Sequence, residues 1–180
     1  LTTTKALAGY RLPTEPLEHG QRYLTNMAST YSTLLGVQLP ATDEQAGVWG
    51  NSTNINFGKI IEQAIAGVQA ITMSNTTYTL SDLNGVSDEA RNMVLVLGGT
   101  NSSICKVEAP LVPKVYVVFN NTSGGYAVTI GGATGTTVSI PNGTTTLVYC
   151  DGTNFYSGFT GVTGTFTAAS FYGAGTGLTG

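Results

Sequence analysis

Side chains able to do chemistry are few in this sequence and widely spaced. The only histidine, His19, has no histidine or cysteine partner near it, so no metal set of the zinc type is expected. Cys105 and Cys150 lie in strand-like stretches, "SICKVEA" and "TLVYCDG", without a CxxC partner, and read as buried free thiols more readily than as a disulfide, since the first residues shown carry no secretory pattern. The close acidic pairs are Asp43-Glu44 and Asp88-Glu89. Glycosidic hydrolysis needs two carboxylates roughly 5 to 10 Å apart on one site. Neighbouring side chains in extended chain point to opposite faces, so each pair reads as a turn cap or a solvated loop, and Arg91 is placed to pair with Asp88 or Glu89. The last six residues, Gly175 to Gly180, spell G-T-G-L-T-G, the spacing of a dinucleotide loop. Such a loop follows a buried strand, opens a helix and is answered by an acidic residue about 20 positions on. None of these is present around "TFTAASFYGAGTGLTG", so no cofactor is expected and no catalytic residue is assigned.

Composition narrows the class further. Of 180 residues, 9% are charged, against about 25% in ordinary soluble chains. The polar load falls on Thr, Ser, Asn and Gly, which suit turns and strand faces rather than helices. The formal net charge is -3 and the seven basic residues stand singly, so no stripe can track a phosphate backbone and nucleic-acid binding is not expected. Apolar runs such as Met93 to Leu97 fall far short of the roughly 20 residues of a membrane helix, and no membrane insertion is expected.

The elements follow from hydrophobic period. From Thr14, apolar residues recur at threes and fours through Leu34 and Leu35 to Gly36, which predicts a helix interrupted at Gly20. "VQLPATDEQAGVWGNSTN" reads as an irregular connector ending near Trp49, a packing anchor more readily than a sugar platform. In "FGKIIEQAIAG" the residues Phe57, Ile60, Ile61, Ala64 and Ile65 fall on one face, with Asn54 or Asn56 as N-cap and Gly67 as the stop. So short a helix must pack its face on the following sheet or on copies of itself. From Val68 the period becomes two, and nine strands are predicted between Val68 and Phe159, separated by turn signals such as Gly98-Gly99, Gly124-Gly125, Asn142-Gly143 and Asp151-Gly152. This pattern predicts an antiparallel β-sandwich, with "MVLVL" and "VYVVF", apolar on both faces, as its central strands.

From Asn121 to Gly180 the only charged residue is Asp151, amid many aromatic and branched side chains. Burial between identical subunits is the natural remedy for such a surface. The near-repeat "GVTG" (161 to 164) and "GLTG" (177 to 180) reads either as a repeating β element or as a plain Gly-rich tail.

"MASTYSTLLGVQLPATDEQAGVWGNSTNINFGKIIEQAIAG", "YTLSDLNGVSDEARNMVLVLGG", "VPKVYVVFNNTSGGYAVTI" and "VSIPNGTTTLVYCDGTNF" together resemble the N-terminal portion of bacteriophage tail fibre and related virion structural proteins. "FTAASFYGAGTGLTG" resembles the start of the fibre shaft that often follows. The resemblance implies a homotrimer in the virion, assembled in the host cytoplasm, and four parts: residues 1-48 docking to other virion proteins, 49-67 connector and short helix, 68-160 β-sandwich, and 161-180 the first shaft residues. It also implies a longer chain whose distal part meets a host receptor, with Met27 resembling the family's usual start. A capsid head fibre, or the front of a glycan-degrading spike, would share these residues. Packing and oligomer contacts are expected at Trp49, Phe57, Ile60, Ile61, Ile65, Phe166, Phe171 and Leu178.

Overall fold

In the computed structural model, residues 28–41 and 47–159 are described. His19, the Asp43-Glu44 pair, the helical pattern before residue 28, and the shaft residues Phe166, Phe171 and Leu178 lie outside them. The chain is mainly β, with one short helix. A small antiparallel ladder joins β1 (Thr30–Tyr31) to β2 (Gln38–Leu39). The helix comes in three pieces: α1 (Trp49–Ile55), a π-helical segment (Asn56–Ile61) and α2 (Glu62–Ala66). Nine strands follow: β3 (Val68–Met73), β4 (Tyr78–Thr79), β5 (Val94–Gly99), β6 (Cys105–Glu108), β7 (Lys114–Asn120), β8 (Val128–Gly131), β9 (Thr137–Ile140), β10 (Thr145–Cys150) and β11 (Phe155–Ser157).

Two expectations about helices are corrected. Residues 28 to 36 are not helical, because Ser32 draws the chain into a turn: its hydroxyl accepts from Val37 N–H at 3.0 Å, its carbonyl accepts from Gly36 N–H at 3.0 Å, and Gly36 takes φ +61°. Such side-chain bonds to nearby backbone compete with helix formation. The second helix starts at Trp49, so Asn54 and Asn56 are interior rather than capping. Asn56 instead pins the helix to β2, accepting from Gln38 N–H at 3.0 Å and donating to its carbonyl at 2.8 Å. Gly67 does end the helix, in an extended conformation (φ -69°, ψ 138°). It must be glycine for another reason: a Cβ there would stand 2.5 Å from the backbone carbonyl oxygen of Gln63.

The nine strands form a five-stranded sheet, ordered β11-β10-β7-β5-β3, and a four-stranded sheet, ordered β4-β6-β8-β9. Within them β3, β5 and β7 run parallel, as do β4, β6 and β8, while β9, β10 and β11 pair antiparallel. The antiparallel expectation is therefore corrected for four of the seven pairings. From β3 to β8 each strand lies in the opposite sheet from its predecessor, so the chain coils, and each parallel partner is reached through a strand of the other layer. The coil has a constant step of 23 residues over its later turn, with Val94 facing Val117 in one sheet and Cys105 facing Val128 in the other. Gly98-Gly99, Gly124-Gly125 and Asn142-Gly143 turn the chain between layers, whereas Gly131-Gly132 and Asp151-Gly152 belong to true hairpins.

One core lies between the layers. Ile71, Leu95, Leu97, Tyr116, Val118 and Val148 from the larger sheet meet Val107, Val128, Ile130 and Ile140 from the smaller, all at most 2% exposed. Each large aliphatic side chain so buried contributes about 1.5–3 kcal/mol. Cys105 and Cys150 are both buried here and free.

Candidate association surface

Among the described residues, Asp88, Glu89 and Arg91 are bonded within the structure. Asp88 and Glu89 open a turn, residues 88 to 91, and their side chains find different partners. Glu89 accepts from the Tyr78 hydroxyl at 2.6 Å and from Ser81 N–H at 3.0 Å. Asp88 is buried against Arg91, with a contact of 2.8 Å. Its two oxygens also accept from Arg91 N–H at 2.7 Å and Leu83 N–H at 2.9 Å.

The guanidinium is the hub of the N-terminal half. Arg91 donates to the carbonyls of Leu35 (2.8 Å), Val86 (2.6 Å) and Leu83 (2.6 Å). Leu35 belongs to the β1–β2 loop, so a side chain from the long β4–β5 connection bolts that ladder to the layers. Gln63 of α2 reaches the Asp88 carbonyl at 3.4 Å and ties in the helix. Lys114, at the start of β7, donates to the Arg91 carbonyl and lies 4.9 Å from the centre of the Tyr116 ring.

Burial pushes Lys114 down to about 8, with Arg91 acting in the same direction and Asp88 opposing. The amine carries its full penalty below pH 8, and the penalty is relieved as pH rises toward the ordinary value of 10.5, because the unfolded chain then holds the proton that the folded chain has released. The stability of the natural chain relative to Lys114→Met should accordingly rise between pH 7.5 and pH 10. Urea midpoints of both proteins at those two values check the sign, since other titrating groups cancel in the difference. Next to it, the Tyr116 hydroxyl is buried and has no hydrogen-bond partner among the described residues. Tyr116→Phe removes an orphaned polar group at nearly constant volume, so the melting temperature should hold or increase, by up to about 1 kcal/mol in stability.

What the fold does present is one uncharged face. Alternate residues of each strand point inward, and the outward set differs between layers. On the four-stranded sheet the outward residues are polar or small: Thr79, Lys106, Glu108, Thr129, Thr137 and Ser139, with Lys106 and Glu108 paired at 3.2 Å. On the five-stranded sheet they form apolar rows set by the register. Val68, Val94, Val117 and Leu147 lie in one row, Ala70, Val96, Phe119 and Thr145 in the next. Val115, Tyr149 and Tyr156 make a third, with the two tyrosine rings stacked at 5.2 Å. Not one residue in these rows is charged, and Val68 is 63% and Val115 45% exposed.

The helix leads into this face. Of the predicted helix face, Ile60 is fully buried, Ile61 is half-buried, and Phe57 and Ile65 stay 63% and 68% exposed. Trp49, expected as a packing anchor, is 65% exposed on the first turn. The predicted face therefore splits. At about 82° per residue through the π-helical segment and 100° beyond it, Phe57 and Ile65 come nearly into line, while Ile60 turns to the body. β5 and β7, expected to be central because both their faces are apolar, do lie inside the five-stranded sheet, and their outward residues join the surface that the near absence of charge after Asn121 signals.

Among the described residues no helix is long and apolar enough to cross a membrane, and no three His, Cys, Asp or Glu side chains gather as a metal site. Asn101, spelled as a glycosylation sequon, is 1% exposed and closed to modification. Comparisons with protein-family models, curated proteins and solved structures find no match.

Proposed function

We propose that this chain is a structural protein of a bacteriophage virion, the base of a homotrimeric tail fibre. The observation that carries the reading is the contrast between the layers: one outer face is polar and paired, the other is apolar and without charge. A protein built this way is made to be covered, as a stacked module of a larger assembly is. In this reading the two layers act as a sandwich-like base, residues 1-48 dock to the particle, residues 161-180 begin the shaft, and chain beyond them meets the host surface. Binding to the host draws its strength from several copies acting together rather than from a deep pocket. No catalytic role is assigned to any residue.

Gold-labelled antibody against the chain, viewed on intact virions, tests the location. Label at the tail supports the fibre base. Label on the capsid would move the protein to a head fibre, and absence of label from virions would overturn the reading.

A further inference from the structure

We infer that the uncharged outer face of the five-stranded sheet is where copies of this chain meet, with Val117 near the centre of the contact. The inference deepens the fibre reading by naming its subunit surface. β7 is the middle strand of the five, and Val117 sits between Val94 and Leu147 in the central row. An uncharged surface offers nothing to a charged partner and matches a surface equally free of charge. The molecule's other sheet face carries Lys106 and Glu108, so the apolar face best matches its own copy.

Size agrees with this occupant. Five strands about 4.8 Å apart, four of them six or seven residues long and β11 three, with a rise of about 3.3 Å per residue, give a face roughly 24 Å wide and 20 Å tall except at β11. That is about 430 Å² before the relief of side chains is counted, within the range of the largest apolar patches on monomers and about half of the roughly 800 Å² per partner of a standard interface. Ile65 and Val68, both well exposed, flank the junction of helix and sheet. Three such sheets turned to a common axis would each stand about 7 Å from it, close to the half-spacing of about 5 Å at which packed sheets fill their gap with side chains. Phe119, Leu147 and Tyr149 have the length to fill that space. The edge of the sheet faces outward as well: Val94 N–H bonds to the Gly67 carbonyl, so the alternate groups of Val68, Ala70 and Thr72 point away from β5, where the Gln69 side chain covers the Ala70 carbonyl at 3.0 Å, on a strand without charge or proline.

The test is the molar mass of the 180-residue chain in solution by multi-angle light scattering, for the natural sequence, Val117→Lys, Val117→Glu and, as control, Thr129→Lys on the opposite face. The natural chain and the control should be oligomers. Val117→Lys should run as a monomer with an unchanged far-ultraviolet circular dichroism spectrum, its dissociation constant raised at least tenfold, and an equimolar mixture with Val117→Glu should reassociate. If Val117→Lys fails to fold, Val115→Lys, at a position already half exposed, is read in its place. A monomeric natural chain, including one whose own residues 160-180 cover the face, overturns the inference, and so does a Val117→Lys protein that keeps the natural mass. Failure here would leave a virion protein with a different subunit contact; failure of the labelling experiment would leave an oligomer outside the virion.

Discussion

Arg91→Ala is expected to destabilise the protein by about 3–5 kcal/mol, the range for stripping one partner from a buried ion pair. The change leaves the Asp88 carboxylate buried without its counter-charge, and it orphans the carbonyls of Leu35, Val86 and Leu83. A surface ion pair would be worth a fraction of this, but both side chains here are at most 3% exposed. The loss should also be uneven. The Leu35 bond holds the β1–β2 ladder, so amide hydrogen exchange in residues 28 to 41 should quicken beyond the change in the strand cores. Urea unfolding of Arg91→Ala, Asp88→Ala and the double variant measures the coupling, and the double variant should lose much less than the sum. A loss under 1 kcal/mol for Arg91→Ala would show that the guanidinium is not the hub.

Asn120→Ala is expected to cost about 3 kcal/mol, since several buried polar groups lose their partner together and each is worth about 1–3 kcal/mol when orphaned. Asn120 is fully buried where β7 ends. Its amide donates to the carbonyls of Ile140 at 2.9 Å and Tyr126 at 3.1 Å, and its oxygen accepts from the Thr122 hydroxyl at 2.8 Å and Thr122 N–H at 3.2 Å. One side chain thus joins the strand of one layer to β9 of the other and shapes the crossing between them. Asn120→Asp keeps the acceptor but loses both donors and buries a charge, and it should be at least as damaging. Thermal unfolding followed by circular dichroism measures both, and a melting temperature unchanged in Asn120→Ala would rule out the bridge.

These two residues show why strands were legible and their arrangement was not. Alternation in "KVYVVFN" and "TTLVYC" marks β7 and β10 at their true bounds, since half-buried extended chain admits only a period of two. The period carries no direction of pairing. A Gly-Gly pair serves a hairpin and a crossing between layers equally well, so turn signals do not reveal the coil. The 23-residue step is a repeat of backbone, with Leu97 aligned on Asn120 and Cys105 on Val128, and so little identity leaves no mark in the letters. Local bonding likewise overrode hydrophobic spacing at Ser32, where a turn replaces the expected helix.

The amino-acid sequence by itself determined the class of this protein, the positions of the nine strands after Val68, the helix that ends at Gly67 and the scarcity of charge, because each rests on composition or on contacts within a few residues. Tertiary structure alone decided which strands run parallel, that Asp88 rather than Glu89 takes Arg91, and that the apolar outward residues of five strands join in one surface. Those depend on groups brought together from across the chain, where register and burial, rather than spacing in sequence, set which side chains meet.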